Sequence, residues 1–123
     1  MLELLLQTEL GSRVEARLFG DGDELHAPHL LDVEVVQALR RLARNGEISA
    51  TRADEASADL ADLDLHRHAH LDLLSRAWKL RDNITAYDAM YVALAEALEA
   101  PMVTCDSPLA NAPGHRARIE AIE

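Results

Sequence analysis

Residues 85–105 read TAYDAMYVALAEALEAPMVTC. Thr85 stands three positions before Asp88, the spacing of an N-terminal capping box, although that box ordinarily carries Glu or Gln at its last position. From Thr85 to Leu98 the spacing predicts a helix, with Tyr87, Met90, Tyr91, Leu94 and Leu98 on its buried face. Pro101 to Cys105 then reads as a short buried strand. A helix feeding directly into a buried strand is the second half of a crossover, the connection that parallel strands require.

The same alternation extends upstream and downstream. Met1 to Gln7 reads as a helix already under way, and Thr8 can cap another over Glu9 to Phe19, stopped by Gly20. After a turn at Asp21 to Asp23, Leu25 to Pro28 reads as a strand. Leu30 to Asn45 is an amphipathic helix with Leu31, Val35, Ala38, Leu39 and Leu42 on one face, ended by Asn45-Gly46. Thr51 is expected to cap a helix running to about Leu63. Leu63, Leu65 and His66 suggest a short strand. Leu71 to Leu80 is read as one helix with Leu71, Leu74, Ala77 and Trp78 inside. Asp106 to Pro108 turns into a short helix, and Arg118 to Ile122 alternates as a last, edge strand. Strands separated by helices imply an α/β sandwich, a parallel sheet flanked by helices, and such sheets place their sites beyond the carboxyl ends of the strands. With no linker, repeat or low-complexity tract, residues 1–123 are expected to form a single domain.

Composition narrows the function. Twelve Lys and Arg against 22 Asp and Glu leave a net charge of -10, which argues against holding nucleic acid by bulk charge. It leaves room for a nuclease whose bound divalent ions supply positive charge locally. Aromatic residues make up 3% of the chain, poor for base stacking, which disfavours a single-strand binding platform. Ala and Leu far outnumber Val and Ile, which favours helices with a few short strands. No apolar run approaches the roughly 20 residues of a membrane span. One cysteine, Cys105, excludes an internal disulfide framework and a Cys-based zinc site, and fits a cytoplasmic protein. At a buried strand end with no activating His beside it, Cys105 is expected in the core rather than as a nucleophile.

Three carboxylates stand out. Glu34 lies at the edge of its helix's apolar stripe, where a side chain can look into a cleft or simply rest half-exposed on the flank. Asp88 completes the Thr85 cap, so a purely structural role stands beside a chemical one. Asp106 follows a buried strand directly, as a site residue would, and as a turn residue before Pro108 would too. Carboxylates brought together repel unless a cation neutralises them, and hard oxygen donors suit Mg²⁺ or Mn²⁺. His66, His68 and His70 alternate and could bind a transition metal, but a solvated strand end is the commoner outcome. Arg40, Arg41 and Arg44, and Arg76, Lys79 and Arg81, could meet phosphates, but a solvated basic face is the commoner outcome. No Gly-rich phosphate loop is present.

With these residues the chain resembles the PIN-domain ribonucleases, specifically the VapC-type toxins of bacterial toxin–antitoxin pairs. The carrying segments are Ala27 to Leu39, Leu80 to Glu96 with its Tyr87-Asp88-Ala89 centre, and Val103 to Leu109. The resemblance covers essentially the whole chain and implies a PIN-like three-layer α/β sandwich. It implies four acidic residues holding Mg²⁺ or Mn²⁺, three of them falling on Glu34, Asp88 and Asp106, so that Asp88 caps its helix and also helps hold metal. It further implies cleavage of structured RNA such as transfer or ribosomal RNA, a VapB-type antitoxin that blocks the site, and homodimers. One departure stands out. The family opens with a central strand ending in Asp, whereas Met1 stands where the following helix belongs, so that the first central strand and its Asp are expected to be absent. Glu3 is no obvious replacement. Either the start lies upstream of Met1, the favoured reading because everything downstream is intact, or this is a truncated copy.

The leading expectation is therefore a metal-dependent endoribonuclease with Glu34, Asp88 and Asp106 as catalytic metal ligands. The alternative is a catalytically impaired module of the same fold that only sequesters antitoxin. A receiver-like phospho-acceptor domain is disfavoured, since it needs adjacent acids after its first strand and a Lys after its last strand.

Overall fold

The computed structural model describes residues 24–104, 109 and 111–122. The readings for residues 1–23 and for Cys105 to Pro108, Asp106 included, lie outside the described residues. The described elements are β1 (His26–Pro28), α1 (Leu30–Arg44), α2 (Ala50–Asp62), β2 (His66–His68), a 3₁₀ turn (Leu71–Leu73), α3 (Leu74–Lys79), α4 (Ala86–Leu98), β3 (Met102–Thr104) and β4 (Ile119–Ala121). Helices alternate with short strands, as the α/β reading expects. Two two-stranded sheets form, β1 with β2 and β3 with β4. The His66 N–H donates to the Leu25 carbonyl and the His29 N–H to that of His68, at 2.9 and 2.8 Å. Residue numbers rise together along that ladder, so the strands run parallel. β3 and β4 are also parallel, with Met102 opposite Ile119 and Thr104 opposite Ala121.

The described residues divide into two compact units, one holding the residues up to His26 with Leu31–His66, the other Ala27–Leu30 with Arg67 onward. In the first, Val35 and Leu39 of α1 pack on Ala56 and Leu60 of α2, with Leu31, Ile48 and Leu63 at the margin. Asp32 near the start of α1 and Arg41 and Arg44 near its end complement the helix dipole. Asn45-Gly46 ends it as expected. Gly46 adopts φ 73°, and the N–H groups of Gly46 and Glu47 reach back to the Ala43 and Leu42 carbonyls, a Schellman closure. The cap of α2 is Ser49, not Thr51. Its hydroxyl accepts the Arg52 N–H at 3.0 Å, so the helix starts before Thr51 is reached. The strand expected over Leu63 to His66 begins only at His66, because Leu63 is spent closing α2 through its bond to the Leu60 carbonyl.

In the second unit Ala77 and Leu80 pack against Ala89, Val92 and Leu109, with Ile84, Met102 and Ile119 around them. Leu73, Ala93 and Leu94 form a smaller neighbouring cluster. Two expected faces are corrected here. The Leu71 to Leu80 stretch is a 3₁₀ turn followed by a six-residue helix, and it turns Leu73, Ala77 and Leu80 inward while Leu71, Leu74 and Trp78 stay exposed. Both stripes have helical spacing, and the buried one presents the small Ala77, which admits α4 closely. On α4 the buried residues are Ala89 and Val92 through Glu96, while Tyr87 and Leu98 are exposed and Met90 and Tyr91 half-buried. A helix apolar nearly all round does not announce its inner face by periodicity, and here close packing selects the small residues. No described helix is long and apolar enough to cross a membrane.

Candidate active site

Asp88 lies on the first turn of α4, half-buried. Thr85 is extended at φ -67°, ψ 159°, and its Oγ1 accepts the Asp88 backbone N–H at 3.2 Å. The expected cap is therefore formed, and through the backbone of Asp88. Its carboxylate stands at the positive end of a 13-residue helix, which favours the ionised form. Thr85→Ala removes this cap and should cost about 1 kcal/mol, a melting-temperature loss of a few degrees measurable by thermal denaturation.

Glu34 sits near the start of α1, exposed, between exposed Val33 and buried Val35. That is the outer flank of the stripe rather than a recess. Glu34 belongs to the first unit and Asp88 to the second, and Asp106 is outside the described residues. Glu34 and Asp88 are thus each placed by their own helix, and among the described residues no three His, Cys, Asp or Glu side chains gather as a metal centre. The donors themselves, carboxylate oxygens on Asp88 and Glu34, are of the hard kind that Mg²⁺ or Mn²⁺ takes.

The histidines separate. His66 stacks on His26 with ring centroids 4.8 Å apart, and the Nε2 atoms of His26 and His66 lie 3.6 and 3.9 Å from Glu24 Oε2. His70 falls beyond the strand, where its Nε2 accepts the Leu30 N–H at 3.0 Å and so caps the start of α1. His66 and His70 therefore serve separate contacts, with His26 and with the start of α1, rather than a shared ligand face.

One charged residue escaped the sequence reading. Glu96, its side chain 2% exposed, accepts Arg76 Nε at 2.6 Å and Nη2 at 3.0 Å, together with the Arg116 backbone N–H at 2.9 Å. The Arg76 guanidinium holds the Glu96 carboxyl below the usual carboxylate range; burial opposes this, and the Arg116 N–H reinforces it. The same hydrogen bonding raises Arg76 further, against its own desolvation. Arg76 is therefore an anchor and not part of a solvated basic face. A lone acid inside the apolar run from Val92 to Leu98 was the available signal. Glu96 also borders a cleft of about 400 Å³ with Glu99, Arg116 and Arg118 on its walls, but its oxygens are committed to Arg76 and Arg116.

Arg76 Nη2 lies 3.4 Å from the Gly114 carbonyl. Gly114 has φ 93°, and a Cβ there would come 2.5 Å from Asn83 Nδ2. Gly114→Ala should therefore destabilise the chain by about 1–3 kcal/mol through backbone strain, a shift readable in urea denaturation.

The PIN domain family pattern matches residues 1–114. The chain is 48% identical over 98 residues to Ribonuclease VapC1 of Mycobacterium tuberculosis (strain CDC 1551 / Oshkosh), covering 79% of this chain and 74% of that protein. It is 40% identical over 97 residues to Ribonuclease VapC9 of the same organism, covering 79% and 76%. It is 38% identical over 121 residues to Ribonuclease VapC12, covering 98% and 92%.

Proposed function

The chain belongs to the PIN domain family, and from that membership we propose that it is an endoribonuclease toxin of the VapC type. It hydrolyses phosphodiester bonds of structured RNA, transfer or ribosomal, with a divalent metal ion. The observation that carries the reading is Asp88, a half-buried carboxylate fixed at a helix start by the Thr85 cap, in a chain whose relatives bear the name ribonuclease.

Asp88, Glu34 and Asp106 would hold Mg²⁺ or Mn²⁺. When bound, such an ion supplies an activated water and offsets the charge that builds on the phosphate oxygens. The chain's own contribution is positional. Thr85 fixes the backbone from which Asp88 projects, and the buried Val35 and Leu39 fix the helix that carries Glu34. A VapB-type antitoxin is the inhibitory partner in this reading, the working state is a homodimer, and the compartment is the cytoplasm. Residues 1–123 act as a single domain.

The test is cleavage of structured RNA by purified, antitoxin-free protein. Cutting should appear with Mg²⁺ or Mn²⁺ and stop in EDTA. Equal cutting by the unaltered chain and Asp88→Asn overturns the assignment. Antitoxin binding without metal-dependent turnover would favour the sequestering module instead.

A further inference from the structure

Trp78 is the chain's single tryptophan, and it is 67% exposed. It is nonetheless held. The Arg81 guanidinium carbon lies 4.3 Å from the centre of the indole ring, and Arg81 Nη1 donates to the Trp78 carbonyl at 2.9 Å. The backbone beneath is closed as well: the Arg81 N–H returns to the Trp78 carbonyl, and those of Asn83 and Ile84 to Leu80. We propose that Trp78 and Arg81 form a stacking seat for one unpaired base of an RNA strand.

A cation already covers part of this indole, and most of the ring surface still faces solvent. A flat, neutral π-partner fits that remaining surface, and every nucleobase offers one. Neither Lys79 nor Arg81 pairs with a carboxylate among the described residues. In a chain of net charge -10, Lys79 and Arg81 set two positive charges beside the ring for the phosphates flanking the stacked base, with exposed Asp72 and Asp82 in the same segment. Exposed Leu74, one turn earlier, extends the apolar surface along the same side. Low aromatic content excludes an extended platform, and a single ring seats a single base. Because the guanidinium and the closed turn fix the ring beforehand, little further ordering is needed on binding. A protein partner would need wider apolar cover than Leu71, Leu74 and Trp78 between two cations provide.

The seat rests on the ribonuclease reading for its biological ligand, yet it can be tested separately. The full chain, in EDTA, is titrated with single-stranded oligoadenylate and with a fully paired RNA duplex of equal length. Emission from Trp78 should be quenched saturably by the single strand and left nearly unchanged by the duplex. Trp78→Leu, whose site is exposed and outside the core, should bind a labelled single strand about tenfold more weakly while melting as the unaltered chain does. The proposal falls if the single strand leaves the emission unchanged, if both RNAs quench equally, or if Trp78→Leu binds unaltered. It falls equally if Trp78→Leu only dissociates a dimer of the chain or only releases a protein partner. Quenching without cleavage in Mg²⁺ would keep the seat and remove the ribonuclease reading; cleavage with unchanged Trp78 emission and binding would do the reverse.

Discussion

Asp88→Asn is expected to cut RNA at least about 100-fold more slowly than the unaltered chain, a loss of ~2.7 kcal/mol in transition-state stabilisation. It should remain folded. The atom of Asp88 that closes the α4 cap is its backbone N–H, bonded to Thr85 Oγ1, and that bond survives the substitution. The amide is nearly the same size as the carboxyl and keeps an oxygen, but it has lost the charge that a divalent ion needs and that the helix start favours. The dipole contribution is worth only about 0.3–1 kcal/mol, so the melting temperature should fall slightly while turnover collapses. Thr85→Ala is the complementary control, because it weakens the helix start and leaves the carboxylate in place. A clear separation between the two variants, one losing activity and the other mainly stability, is the signature of a ligand rather than a cap. If both lose activity only in proportion to their loss of folded protein, Asp88 is a structural residue and the proposed site is wrong.

The features legible in the sequence were those fixed by neighbouring residues. Asn45-Gly46 ended α1 because a positive φ is cheap for glycine. Thr85 capped α4 because its hydroxyl reaches a backbone N–H three residues on. Those signals also placed Asp88 on a first turn and Glu34 near the start of α1. The inner faces of α3 and α4 were not legible. Val92 through Leu94 are all apolar, so the identity of the packing partner, not periodicity, chose which residues were buried. Ser49 preceded the expected cap by two residues because either hydroxyl could have started α2. The partners of His66 and His70 were not legible for a similar reason: they are His26 and Leu30, some 40 residues away. Glu96 was hidden because its donors come from Arg76 and Arg116, each 20 residues distant. A shared ion among Glu34, Asp88 and Asp106 is likewise a question of tertiary placement, which no single helix's spacing can answer.

Glu96→Ala is expected to be the most damaging single change to stability, at about 3–5 kcal/mol, enough to lower the melting temperature by ~10 °C or more. Three hydrogen bonds vanish at once, and they tie α3, α4 and the segment leading into β4. The Arg76 side chain is 34% exposed, so its orphaned charge can turn partly to water, which places the cost toward the lower end. Glu96→Gln keeps the shape but not the charge and should cost less. The pair also predicts a pH dependence whose direction is fixed. Because the folded state holds the Glu96 carboxyl below its ordinary value of 4.5, the unfolded chain takes up a proton there first as the solution is acidified. The contribution is fully present above about pH 5 and fades as pH falls through the depressed folded value. Arg76, raised rather than lowered, keeps its contribution throughout the acid and neutral range and adds no slope there. Urea denaturation from pH 7 to 3 should therefore show the unaltered chain losing stability more steeply than Glu96→Gln, with the two curves converging at the acid end. Curves that stay parallel would mean that Glu96 titrates alike in both states, and that the ion pair contributes nothing to the fold beyond shape.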